Sequence, residues 1–316
     1  MKKSLRTIVI LVIGVLLSAC GSNSQTVDGD HEYSIGILQF MEHNSLSAAR
    51  DGFMAELEAS DLDINFEVMN GQGDQSNLQS MSEQLANDTD LMLAIATPAA
   101  QSLATVEQEK PILFTAVTDP VDAGLVDTNE KPGRNLTGTS DMVPIDQQIS
   151  LLLSIVPDAD TIGIIYSSSE PNSEIQANLA IEALERQGIK VETATVTSTN
   201  EVQQVMTSLA SRIDGLYIPT DNTIASTIAT VGEVAMEHNL PVVGGDSNQV
   251  EGGALATYGI SYEELGRQTA KMAIEILKNG VSPADLSVEI SEKLELAINQ
   301  EMANAIGIDP DSITMD

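Results

Sequence analysis

From Tyr33 onward one unit recurs along the chain: a short apolar run, a polar turn, then an amphipathic stretch of helical length. The runs Ser34–Leu38, Ile64–Met69, Leu91–Ile95, Ile112–Thr115, Thr161–Tyr166, Lys190–Thr195, Gly215–Ile218, Pro241–Val243 and Ala254–Thr257 have the length and aliphatic content of buried strands. Helical patterns lie between most of them, as at Ser45–Ala59, Ser173–Gln187 and Ile224–Glu237. Parallel neighbours need a crossover that hairpins cannot supply, so this alternation predicts an α/β fold with helices on both faces of a parallel sheet. Helix starts agree: Ser173 with Gln176, Asn200 with Gln203 and Ser261 with Glu264 have capping-box spacing, and Pro98 stands where a missing N–H costs nothing.

The series runs twice. One set of units ends near Asp141-Met142-Val143-Pro144, and a second opens with a helix over Ile145–Ile155 and a strand over Thr161–Tyr166, which predicts two lobes rather than one large sheet. After Tyr258 come another helix (Tyr262–Lys278), a break at Gly280–Pro283, and a further strand and helix through Ile308. That tail predicts three passages between lobes, near residues 142–145, 256–260 and 281–284. We therefore expect an N-terminal lobe of residues 33–143 plus 258–281 and a C-terminal lobe of 144–257 plus 282–316.

The first residues follow the grammar of an export signal: Lys2, Lys3 and Arg6, then a nearly continuous Ile/Val/Leu run from Thr7 to Leu17. The run is short of the roughly 20 residues that span a bilayer as a helix. Leu17-Ser18-Ala19-Cys20, followed by Gly21, resembles the bacterial lipobox, so a signal over 1–19 and a lipid on Cys20 are expected, with residues 20–32 as a flexible polar stalk. Cys20 is the only cysteine, which excludes an intrachain disulfide. The tether implies an extracytoplasmic, membrane-attached domain.

Acidic residues number 47 against 14 basic, and removing Lys2, Lys3 and Arg6 with the signal leaves 11, a mature formal charge of -36. Nucleic acid is a poor partner for such a surface. The excess is spread along the chain, as on a solvated surface suited to high salt, hence a halophilic reading.

Ligands of parallel sheets bind beyond the carboxyl ends of the strands. The segments there are Gln39-Phe40-Met41-Glu42-His43-Asn44, Thr97-Pro98-Ala99-Ala100, Ala116-Val117-Thr118-Asp119-Pro120, Ser167-Ser168-Ser169-Glu170-Pro171-Asn172, Pro219-Thr220-Asp221-Asn222 and Gly244-Gly245-Asp246-Ser247. They are rich in hydroxyls, amides and aspartates and nearly free of basic residues, which suits a small polar ligand with a positive group. The helix start at Thr97 is a seat for a carboxylate. Asp221 or Asp246 suits an ammonium, though either also fits a helix cap. Phe40 either stacks on an aromatic ligand or closes the core.

Enzyme signatures are thin. His31, His43 and His238 show no metal spacing, so surface or capping roles are expected and no metal or cofactor is predicted. Gly71-Gln72-Gly73-Asp74 matches the dinucleotide fingerprint only in part, and nucleophile-elbow and Walker motifs are missing.

Several segments carry a resemblance: Ile35-Gly36-Ile37-Leu38-Gln39-Phe40 with Glu42-His43, Gln72-Gly73-Asp74-Gln75-Ser76-Asn77, Ala94 through Gln101, Phe114 through Pro120, Thr137-Gly138-Thr139-Ser140-Asp141, Ile218 through Asn222, and Leu265 through Ala270. Together they resemble the substrate-binding lipoproteins of ABC transporters, in the group of tryptophan and related aromatic amino-acid receptors. The resemblance implies a type I periplasmic-binding-protein fold, with two Rossmann-like lobes closing on a ligand, a monomer, and a membrane permease as partner. Carried onto this chain, the pocket set is Gln39, Phe40, Glu42, Thr97, Ala99, Thr118, Asp119, Ser140, Asp141, Ser167, Asn172, Thr220, Asp221, Asn222 and Asp246. A sensor presenting its bound form to a signalling partner, or a receptor for another small molecule, fits the same residues.

Overall fold

The structure is a computed structural model in which residues 32–315 are described; the expected signal, Cys20 and the stalk through residue 31 lie outside the described residues. The aliphatic runs form the strands. In chain order come β1 (Tyr33–Gln39), α1 (Asn44–Glu58), β2 (Ile64–Asn70), α2 (Gln75–Asp88), β3 (Leu91–Ile95), α3 (Thr97–Val106), β4 (Ile112–Val117) and β5 (Leu136–Ser140). A second series follows: α4 (Ile145–Ile155), β6 (Thr161–Ser167), α5 (Pro171–Arg186), β7 (Lys190–Val196), α6 (Val202–Ala210), β8 (Gly215–Tyr217), α7 (Asn222–Ala225), α8 (Ile228–His238), β9 (Val242–Val243), α9 (Ser247–Gly252) and β10 (Ala256–Gly259). The tail adds α10 (Tyr262–Asn279), β11 (Glu289–Ile290), β12 (Glu295–Ile298) and α11 (Gln300–Ala305).

Two six-stranded sheets result, in the orders β11-β5-β4-β3-β1-β2 and β12-β10-β9-β8-β6-β7. Pairings are parallel except β12, which runs antiparallel to β10. Central strands are buried on both faces, which is why β3 (LMLAI) is apolar throughout rather than alternating. Each sheet is the spine of one α/β lobe. Between them, the chain leaves the first sheet after β5 and enters α4, where Gln148 Nε2 donates to the carbonyls of Gly245 (3.0 Å) and Tyr258 (3.2 Å). It returns after β10 into α10, which lies along α1 of the first lobe. There Gly266 faces the Ala49 carbonyl so closely that a Cβ would stand 2.0 Å from its oxygen.

The third passage differs from expectation. β11 pairs with β5 in the first sheet through Glu289↔Thr139 and Ile290↔Ser140, and β12 pairs in the second, so the chain crosses at 291–294 rather than 281–284. The residues just after Val281 therefore belong with the first lobe.

Local starts differ as well. Ser261 does cap α10, but α5 begins at Pro171 with Ser173 inside it, and Asn200 lies in a 3-10 turn ahead of α6. The single helix expected over 224–237 is two, α7 and α8, parted at Ser226-Thr227. Among the described residues no helix is long and apolar enough to cross a membrane.

Candidate functional site

The carboxyl ends of both sheets face one another across a small, tightly closed cavity. Its walls are His43 and Ser45 after β1, Ala116 in β4, Asp141 after β5, Asn172 in α5, Thr220 to Asn222 and Ala225 around α7, Asp246 and Gln249 at α9, and Tyr262 at the start of α10. The lobes touch directly across it. Ser45 Oγ donates to Asp246 Oδ1 (3.0 Å), Gln176 Nε2 to Thr118 Oγ1 (3.2 Å), and His43 Nε2 lies 3.1 Å from Asn222 Oδ1.

Three wall carboxylates are buried: Asp141, Asp221 and Asp246. Asp221 caps α7, accepting from Ile224 N (2.8 Å), and also takes Ser167 N (2.6 Å). Asp246 caps α9 through Asn248 N (2.9 Å) and Gln249 N (3.1 Å). Asp141 accepts from the hydroxyls of Tyr262 (2.5 Å) and Thr118 (2.9 Å). These donors oppose the cost of burial without cancelling it. Burial pushes Asp246 up to about 7. It raises Asp141 as well, and Asp221 is raised by burial and then by the neighbouring charge of Glu170. No lysine or arginine is among the walls. Nor, among the described residues, do three His, Cys, Asp or Glu side chains gather as metal ligands would. The arrangement suits an organic cation, which would meet several negative oxygens shielded from water.

Of the fifteen residues expected from sequence, Asp141, Asn172, Thr220, Asp221, Asn222 and Asp246 are cavity walls. Thr118, Ser140 and Ser167 stand directly behind them: Thr118 holds Asp141, Ser140 Oγ donates to the Thr118 carbonyl (2.8 Å), and Ser167 N holds Asp221. The others are not walls. Gln39 Nε2 donates to the Met41 carbonyl (2.9 Å), while exposed Glu42 accepts from Ser47 (2.8 Å) and Asn70 (2.9 Å). Asp119 caps the turn at Val121 and Asp122. Phe40 packs against the apolar cores on both faces of the first sheet. Thr97 and Ala99 are buried at the start of α3, whose first turn has no side-chain cap and whose Thr97 Oγ1 has no partner among the described residues. Ala96 before it and Ala116 at the end of β4 hold positive φ, +81° and +58°, strain of a kind that gathers where backbone serves a ligand.

A surface or capping role is expected of His43 from sequence; it does stand at the N-cap of α1, without a side-chain cap bond, and it is also a cavity wall, in a strand-end segment already singled out. Ser45, Gln249 and Tyr262 were missed. Tyr262 carried a signal, since it follows the Ser261 cap at a predicted crossing. Ser45 and Gln249 are ordinary helix residues in sequence and become walls only when the lobes meet.

Known proteins give the same picture. The family model for ABC transporter substrate binding proteins matches residues 34–314. A tyrosine-binding protein of Clostridioides difficile (strain R20291) is 38% identical, covering 96% of this chain and 92% of its own. The structure of an ABC domain in complex with L-Trp from Streptococcus pneumoniae superposes with a TM-score of 0.84 at 40% identity, covering 90% of this chain and 97% of that one. A ligand-free, open substrate-binding protein with adhesive properties from Clostridium difficile is 42% identical, covering 88% and 95%, yet has a TM-score of only 0.68. The more identical chain fits less well, as expected if the present lobes are closed.

Proposed function

This chain belongs to the family of ABC transporter substrate-binding proteins, and we propose that it is the receptor of an importer for an aromatic amino acid, tyrosine or tryptophan. The observation that carries the reading is the set of three buried carboxylates, Asp141, Asp221 and Asp246, with no lysine or arginine among the walls they share. An α-ammonium supplies the missing positive charge. The ligand carboxylate is assigned to the uncapped first turn of α3, which is not itself a wall but adjoins the wall residue Ala116 through Ala96 N to the Thr115 carbonyl (3.0 Å), and where the helix dipole favours a negative group. The aromatic side chain is supported by the relatives named above, one called tyrosine-binding and one bound to L-Trp.

Proteins of this family deliver ligand to a membrane permease. The lipobox-like sequence ending at Cys20 supports a lipid tether on the extracytoplasmic face, and we assign a monomer as the working unit. A ligand that binds only the folded form raises its stability by about 2.7 kcal/mol at roughly 100 times Kd. The unfolding midpoint of the purified protein should therefore climb by several degrees with L-tyrosine or L-tryptophan and stay put with aspartate, sugars or nucleosides. A rise with a sugar or nucleoside and none with any amino acid would replace this ligand.

A further inference from the structure

His43 has chemistry that an ammonium and a carboxylate leave unused. Its polarity is fixed by a chain of hydrogen bonds that begins at Glu170. Both oxygens of that buried carboxylate receive backbone donors, Asn222 N on Oε2 (3.1 Å) and Thr223 N on Oε1 (2.9 Å), so it acts as an acceptor. The side-chain amide of Asn222 must then turn its Nδ2 to Glu170, at 2.6 Å, which leaves its Oδ1 facing His43 Nε2 at 3.1 Å. Opposite an acceptor, Nε2 carries the hydrogen. Burial lowers the ring's pKa to about 4 against the pull of Asn222, so the imidazole is neutral at physiological pH. A neutral ring protonated on Nε2 has a bare lone pair on Nδ1. His43 as a residue keeps some exposure, but this nitrogen is sealed from solvent and has no partner among the described residues.

We infer that His43 Nδ1 accepts a hydrogen bond from the ligand's side chain, so that the site selects an amino acid whose ring bears an O–H or N–H over one whose ring bears neither. The inference rests on the aromatic amino-acid reading above and names the group within it that is recognised. The ammonium is not the donor in question, because the carboxylates of Asp141, Asp221 and Asp246, which an ammonium draws into their ionised form, are stronger partners for it than a neutral imidazole. A phenol or an indole N–H is a neutral donor, matched to a neutral acceptor. Phenylalanine would bury Nδ1 unsatisfied, and a site built around a hydrogen bond rejects the ligand that lacks it.

The test is calorimetric titration of the full chain with L-tyrosine, L-tryptophan and L-phenylalanine, for the native protein and His43→Leu. The native protein should prefer tyrosine and tryptophan over phenylalanine by about ten- to hundredfold, the range set by one unsatisfied buried acceptor. In His43→Leu the preference should fall to nearly one. Loss of the contact to Asn222 weakens every ligand alike and cancels in that ratio. A second readout uses no variant: the ¹⁵N resonances of the His43 ring should show the hydrogen on Nε2 in the free protein, and Nδ1 should move with tyrosine but not with phenylalanine. Equal native affinity for tyrosine and phenylalanine, a preference that survives His43→Leu, or a hydrogen on Nδ1 would overturn the inference alone. Failure of all three amino acids to bind would overturn the ligand reading and the inference together, a distinguishable result.

Discussion

At the residue scale the site is a problem of charge. Asp246 has its two backbone partners and Ser45, and burial still holds its pKa near 7. The sign of the pH dependence follows. A bound ammonium favours the ionised carboxylate and lowers its pKa, so binding releases a proton wherever the free site is protonated. Asp246's share of the affinity should therefore rise with pH by up to about tenfold per unit toward pH 7 and flatten above it, while Asp141 and Asp221, also raised by burial, add to the rise. The same raised pKa makes Asp246's own contribution to the stability of the ligand-free closed form greatest below about pH 4 and lost as pH rises through about 7. Calorimetry in buffers of different ionisation enthalpy reads the released proton directly. Asp246→Asn should bind more weakly and show a smaller slope; an unchanged slope in that variant would assign the proton elsewhere. Asp221 and Asp246 were legible in sequence because each follows a strand and precedes a helix. His43 was not, because its role depends on Asn222 and Glu170, remote residues whose hydrogen bonds cannot be read from spacing.

At the element scale α10 is fastened to the first lobe by lying against α1. Both helices contribute glycines at the contact: a Cβ on Gly266 would stand 2.0 Å from the Ala49 carbonyl oxygen, and one on Gly52 would stand 2.1 Å from that of Glu263. Backbone cannot yield as a flexible side chain does, so Gly266→Ala should cost about 1 to 3 kcal/mol by overpacking. Denaturant unfolding at constant m-value measures it, and a variant as stable as the native protein would show that the helices separate freely. Most strands were legible because both-face burial leaves an apolar run. β5, Leu-Thr-Gly-Thr-Ser, was not: it is buried throughout but polar. Its hydroxyls are satisfied by distant groups, Thr137 by the Leu286 carbonyl (2.6 Å) and Thr139 by Thr115 (3.0 Å) and Thr269 (2.8 Å). β11 escaped for a related reason. It is two residues long, and Ile290 is 67% exposed, so nothing in Glu289-Ile290 marks a strand and the last crossing was expected too early.

On the scale of the whole molecule the two lobes and the cavity explain one another. Closing brings Asp141 of the first lobe into one water-poor space with Asp221 and Asp246 of the second. Without a cation that closure must take up protons or hold unpaired charge, both unfavourable. A ligand with an ammonium removes the penalty, so it shifts the open–closed equilibrium by the difference between its affinities for the two forms. The α-ammonium, set against these carboxylates, is what the closed form recognises. Calorimetric titration near pH 7.5 with L-tyrosine and with its desamino analogue, 3-(4-hydroxyphenyl)propionate, tests it most directly. Tyrosine should bind, and the analogue at least about a hundredfold more weakly, from loss of charged hydrogen bonds together with burial of unpaired carboxylates. Equal affinity for the two would contradict it.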